Sequence, residues 1–121
     1  MFELTVKDSF SAAHNLRNYK GKCEHLHGHN YTVEIYLLSS KLDKAGIAMD
    51  FGIIKEKLGA VLEEFDHKYL NSDVEYFKKH NPSAENIAKY IYEKMAKKIK
   101  GAKVTKVSVF ESEKARASYY K

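Results

Sequence analysis

The apolar residues of this chain change their spacing twice, and that change limits the folds open to it. Phe2-Glu3-Leu4-Thr5-Val6-Lys7 alternates apolar with polar side chains, the two-residue period of a half-buried strand. The same parity continues through Phe10, Ala12 and His14, with room for a bulge on the way. A second alternating stretch runs from His27 to about Leu38 and carries Tyr31, Val33, Ile35 and Leu37 on one face. From Asp50 the period lengthens. Ile54, Leu58, Val61, Leu62 and Phe65 recur every three or four residues, which predicts an amphipathic helix with Asp50 as its N-cap. Ile87, Ala88, Ile91, Met95 and Ile99 form a second helical stripe, with Ser83 as N-cap and Gly101 as the expected stop. Lys103 to Glu111 returns to a strand with Val104, Val107 and Val109.

The order strand, strand, helix, helix, strand, with a further short strand near either end, predicts an α+β fold. It would be a small antiparallel sheet with two helices on one face. At 121 residues, one domain spanning 1–121 is expected. Long alternating strands at the edges of so small a sheet invite pairing with another copy, so a homo-oligomer is expected. Asn15 to Glu24, polar and too long for a tight hairpin turn, stands out as a candidate functional loop, and a second loop runs through Asp66, His67, Asn71 and Asp73 into Asn81-Pro82-Ser83.

Charge and cysteine content narrow the partners. The formal net charge is +5, but the excess is mostly lysine scattered along both helical stretches. No basic run is interleaved with aromatics, so a nucleic-acid partner is not expected, whereas a phosphorylated small molecule suits the charge. No stretch approaches the roughly 20 apolar residues that cross a bilayer, and no membrane partner is expected. Met1 to Phe10 is alternating and charged, unlike a secretory leader. The single cysteine, Cys23, allows no intrachain disulfide, and the reducing cytoplasm is the expected compartment.

The chemistry concentrates around one motif, Cys23-Glu24-His25-Leu26-His27-Gly28-His29. On a strand, His27 and His29 point to the same face. His14, at the end of the neighbouring strand, can supply a third nitrogen. Three histidines around zinc leave one coordination position open, the arrangement of a catalytic site. Cys23 has three readings: a fourth ligand, a buried structural thiol, or a catalytic thiolate favoured by a nearby metal and by Lys20 and Lys22.

With these residues in view, the chain resembles the 6-pyruvoyl-tetrahydropterin synthase family. The resemblance is greatest to the bacterial and archaeal members that make 6-carboxy-tetrahydropterin in queuosine biosynthesis. Phe10-Ser11-Ala12-Ala13-His14 is similar to the family's first zinc motif, and Cys-x-x-x-His-Gly-His to its second. Met49-Asp50-Phe51 and Pro82-Ser83-Ala84-Glu85-Asn86 resemble its two helix starts. Phe65-Asp66-His67 is similar to its catalytic loop, and Val107-Ser108-Val109-Phe110-Glu111 to its last strand.

The resemblance implies the T-fold, in which small sheets assemble into a barrel with active sites at subunit interfaces. It implies zinc on His14, His27 and His29, with Cys23 as the base outside the resting metal shell. The substrate it implies is 7,8-dihydroneopterin triphosphate. His67, oriented by Asp66, would relay protons, and triphosphate and acetaldehyde would leave. Glu111 would accept the two parallel N–H groups of the pterin edge. Glu85 would assist at the ring, or serve only as a first-turn carboxylate of its helix. Arg17, Lys20 and Lys22 are candidates for the triphosphate, or solvated charges.

Glu24 departs from the single-product pattern. A glutamate beside the cysteine resembles the family variants that cleave the side chain to a hydroxymethyl-pterin for folate synthesis, so Glu24 is a further substrate-contacting candidate. A 6-pyruvoyl product is a third outcome. A zinc- or pterin-binding protein without catalysis is the alternative from another class.

Overall fold

The first two strands define the frame of the molecule. In the computed structural model, which describes residues 1–121, β1 (Phe2–His14) and β2 (His27–Ser39) pair antiparallel along their whole length. The ladder runs without a bulge from Phe2 opposite Ser39 to His14 opposite His27. Even residues of β1 and odd residues of β2 therefore share one face. On it Val6, Phe10, Tyr31, Val33, Ile35 and Leu37 are buried. Each fully buried aliphatic side chain here contributes about 1.5–3 kcal/mol. The Phe10 ring stacks on its ladder partner Tyr31 at a centroid distance of 4.7 Å.

Two helices cover that face. α1 (Phe51–Leu62) starts where Asp50 accepts a hydrogen bond from the Gly52 N–H, and buries Ile54, Leu58, Val61 and Leu62. Between the helices the chain is more structured than its sequence suggests. A two-residue strand β3 (Lys68–Tyr69) is followed by two short helices, α2 (Leu70–Asp73) and α3 (Glu75–Lys79). The longer helix α4 (Ala84–Lys98) opens with the Ser83 hydroxyl accepting from the Asn86 N–H. It buries Ile87, Ala88, Ile91, Tyr92 and Met95. α4 stops at Lys98, and Ile99 is already extended. Gly101 lies beyond the helix end, and its positive φ of 91° turns the chain into the next strand.

β4 (Lys103–Ser112) and β5 (Ala115–Tyr120) complete a five-stranded sheet in the order β3-β1-β2-β4-β5. All pairs are antiparallel except β3, which runs parallel to β1 beside Ala12 and Ala13. The sheet is thus mostly rather than wholly antiparallel. Val104, Val107 and Val109 cannot share a face on a regular strand. A register shift opposite Tyr36 and Leu37 resolves this, and all three are buried.

The other face of the sheet is polar. Glu34 accepts from the Tyr36 hydroxyl at 2.9 Å and lies 3.3 Å from the Lys7 ammonium. β3 covers only the last residues of β1, so the rest of that edge has no neighbouring strand within the chain. The outer edge of β5 is likewise unpaired. The ends of β1 and β4, the start of β2 and the 66–85 segment meet at one end of the sheet.

Candidate metal centre and catalytic residues

Strand parity brings three histidines together at that end. His14 ends β1, His27 begins β2 directly opposite it, and His29 follows on the same face. Their rings meet edge to face with centroids 4.6 Å (His14–His27), 5.1 Å (His14–His29) and 4.8 Å (His27–His29) apart. One ligating atom from each lies within 4.8 Å of the others. Cys23 is not part of this group.

The hydrogen bonds around the rings determine what the group can do. His14 Nδ1 is 2.6 Å from the Pro82 carbonyl, and His27 Nδ1 is 2.7 Å from the His25 carbonyl. A carbonyl can only accept, so each Nδ1 carries its proton and each Nε2 presents a lone pair. Those two Nε2 atoms are 3.0 Å apart. His29 Nε2 is buried and has no hydrogen-bond partner. Two facing lone pairs and an orphaned buried nitrogen repel or go unsatisfied unless a cation joins them. Three convergent imidazoles, two of them with tautomers fixed by backbone carbonyls, fit a divalent metal that favours nitrogen ligands, zinc among them.

Electrostatics keep the imidazoles available. Burial pushes His14 below the ordinary histidine value, against the upward pull of the Pro82 carbonyl. Burial also pushes His29 down, against the upward pull of Glu111, whose carboxylate lies 3.8 Å away. Tyr31 sits beneath the cluster with its hydroxyl 3.1 Å from His14 Nδ1. Its phenol is pushed up, first by burial and then by the negative charges of Glu111 and Cys23.

Cys23 lies half-buried in a single 3-10 turn, Lys22–Glu24, and its carbonyl accepts from the Leu16 N–H at 2.7 Å. Glu24 is exposed, 3.7 Å from His25 Nε2. Glu111 and Glu85 line one small concavity of about 200 Å³ with Arg116. Glu111 also borders a second, of about 660 Å³, shared with His29 and Lys7. It therefore stands between the histidines and the first turn of α4.

Asp66 and His67 are held by the backbone of Ser11. The Ser11 N–H donates to Asp66 Oδ1 at 2.9 Å, and the His67 N–H donates to the Ser11 carbonyl at 2.6 Å. His67 adopts a left-handed φ of 60°, which presents its side chain to solvent. Its Nδ1 is 3.0 Å from Asp66 Oδ2, leaving Nε2 free to exchange a proton. The Ser11 N–H, then His67, holds the Asp66 carboxyl below the usual range. His67 and His29 both line a concavity of about 480 Å³ at the end of β1 and β2.

Sequence patterns missed several residues that matter here. Pro82 acts through its carbonyl, which has no side-chain signature. Asn71 and Asn81 bond the backbone of the loop after His14. Arg17, a triphosphate candidate by sequence, donates from Nη2 to the Phe77 carbonyl at 2.7 Å. Lys20 and Lys22 are exposed.

Comparison with known proteins gives a consistent result. Residues 3–121 match the sequence model of the family described as 6-pyruvoyl tetrahydropterin synthase. The 6-carboxy-5,6,7,8-tetrahydropterin synthase of Rickettsia bellii is 33% identical over 93% of this chain and 95% of its own length. The solved structure of Caenorhabditis elegans 6-pyruvoyl tetrahydropterin synthase is similar with a TM-score of 0.90. It is 32% identical and covers 99% of this chain and 95% of that one. The 6-pyruvoyltetrahydropterin synthase of Plasmodium vivax is similar with a TM-score of 0.77 at 27% identity, covering 99% and 97%. Its glutamate-to-cysteine variant is described as a catalytic-residue mutant.

Proposed function

Because this chain belongs to the 6-pyruvoyl tetrahydropterin synthase family, a family of T-fold enzymes, we propose that it is a zinc-dependent 6-carboxy-5,6,7,8-tetrahydropterin synthase. It would convert 7,8-dihydroneopterin triphosphate and release acetaldehyde and triphosphate, in the cytoplasm, as a step toward queuosine. The single observation that carries this reading is the convergence of three imidazole nitrogens, one of them buried without a partner.

His14, His27 and His29 would hold the metal, with their Nδ1 protons or their surroundings fixing which nitrogen faces it. Zinc, when bound, supplies Lewis acidity that makes protons beside the substrate's side-chain hydroxyls easier to remove. Cys23 as thiolate takes such a proton. His67 passes protons through its free Nε2, and Asp66 holds the ring by its Nδ1. Glu111 accepts the paired N–H donors of the pterin edge, with Glu85 beside it in the same concavity.

The unpaired edge of β1 and the outer edge of β5 support assembly of several copies into a barrel, with sites at subunit interfaces. Residues 1–121 would act as one pterin-synthase-like domain within it.

Incubating the zinc-loaded protein with dihydroneopterin triphosphate and identifying products by mass tests the assignment. No turnover, with metal and oligomer intact, removes it. Glu24 supports a second reading, side-chain cleavage to 6-hydroxymethyl-dihydropterin. Its carboxylate is exposed one residue from the Cys23 thiol, and a glutamate matters for catalysis in the Plasmodium vivax relative. Hydroxymethyl product that disappears in Glu24→Gln would establish that activity.

A further inference from the structure

The three residues that follow His14 have an unusual set of partners. β3 ends at Tyr69, so no strand continues the ladder beyond β1. Side-chain amides replace it. Asn71 accepts from the Asn15 N–H at 3.0 Å and donates to the Asn15 carbonyl at 2.9 Å. Asn81 accepts from the Arg17 N–H at 2.9 Å and donates to the Arg17 carbonyl at 2.7 Å. An asparagine amide carries the same donor and acceptor as a peptide unit, so each pair copies one rung of an antiparallel ladder.

The residue between the two rungs points the other way. The Leu16 N–H donates to the Cys23 carbonyl at 2.7 Å, tying the cysteine turn to the same strap. Asn81 is itself fixed, because the Asn86 side chain at the start of α4 donates to its carbonyl at 2.9 Å. The next carbonyl along the chain, that of Pro82, accepts the Nδ1 proton of His14. Tyr69 adds a bond from its hydroxyl to Asn15 Oδ1 at 2.6 Å.

We propose that Asn71 and Asn81 are positioning residues that lock the 15–17 strap, and through it hold the His14 ring and the Cys23 turn in one rigid frame. The proposal rests on the metal and thiolate roles given to His14 and Cys23 above. A regular strand cannot do this work, because the loop must reverse through Asn18 at φ 59° and Gly21 at φ 145° to bring Cys23 back. Two side-chain rungs grip the backbone without requiring it to stay extended. They also explain why both loops between elements are needed. One carries the cysteine, and the other carries the asparagines and the Pro82 carbonyl.

Asn81 is the rung next to the Pro82 carbonyl, and Asn71 is the rung on the Asn15 side of the Leu16–Cys23 bond. Their loss should therefore be read by different probes. Zinc affinity is measured by chelator competition, cobalt-loaded protein is followed by its visible d–d bands, and Cys23 is titrated with iodoacetamide. Asn81→Leu is expected to weaken zinc binding about 10–100-fold, as loss of support behind a metal ligand commonly does, and to shift the cobalt bands. Asn71→Leu is expected to make Cys23 alkylation several-fold faster in the zinc-loaded protein.

Wild-type zinc affinity, cobalt spectrum and alkylation rate in both variants, with only a lower melting temperature, would overturn the proposal. Failure of the unsubstituted protein to bind zinc would count against the metal reading instead. If either variant does not fold, hydrogen exchange at the Asn15 and Arg17 amides of the unsubstituted protein, the two that the asparagines accept from, decides the question. Strong protection with and without zinc supports a preformed strap, and exchange at the unprotected rate without zinc overturns it.

Discussion

The Nε2 atoms of His14 and His27 face each other across 3.0 Å, each with its Nδ1 proton committed to a backbone carbonyl. Two lone pairs held that close favour any cation that separates them. Zinc should therefore bind one per chain and stabilise the fold. Free zinc at a hundredfold excess over Kd adds about 2.7 kcal/mol, by mass action alone. Thermal melts with and without chelator measure it. His29→Ala, which removes the orphaned nitrogen, should abolish most of the shift.

Cys23 lies outside the three-nitrogen group, so Cys23→Ala should leave zinc content unchanged. Turnover of the pterin substrate should fall by roughly 10²–10⁴-fold, the range expected for losing a positioned base. Metal analysis and product assay on the same preparation separate the two effects. Loss of zinc in this variant would make Cys23 a ligand.

Glu111→Gln preserves shape but removes the charge opposite the proposed pterin edge. Losing a charged hydrogen-bond acceptor costs about 1.5–3 kcal/mol. KM should rise by roughly 10–100-fold on that scale, with zinc content retained. Steady-state kinetics beside metal analysis give the answer. An unchanged KM would place the pterin elsewhere.

Asp66 has a carboxyl held below its ordinary 3.8 by the Ser11 N–H first and His67 second. A depressed carboxyl pKa in the folded state favours folding when the group is ionised. Its contribution is therefore complete well above pH 3.8 and is lost as pH falls through the lower folded-state value. Asp66→Asn should melt at a lower temperature than the unsubstituted chain near neutrality. The gap should close on acidification below about pH 4. A gap that stays constant with pH would mean the ionised carboxylate is not the source of the difference.

Much of the frame was legible because periodicity reports burial. The alternation in Phe2–His14 and the odd positions Tyr31 to Leu37 marked one face of β1 and β2. Asp50 and Ser83 marked the helix starts by their capping chemistry. β3, α2 and α3 were hidden because two to five residues are too few to show a period. The shift opposite Tyr36 and Leu37 was hidden because a bulge breaks the alternation that would reveal it. β5 was foreseen only as a short strand near an end, since half of Ala115–Tyr120 is small residues and four of its six residues are exposed. Around the site, side-chain type and spacing pointed to His14, His27 and His29, which the fold brings together, and left the role of Cys23 open. The Pro82 carbonyl and the rungs of Asn71 and Asn81 depend on contacts across more than fifty positions of chain, which no local pattern encodes.

The bulge-free ladder between β1 and β2 also works as a ruler. Slipping β2 by one residue would turn His27 and His29 to the polar side of the sheet. Slipping it by two would keep them on the right side but carry them about 6.6 Å along β1, away from His14. Of these alignments only the native one closes the triad. A metal ion captured during folding would then proofread the hairpin, rewarding the one alignment that also seats Phe10 on Tyr31.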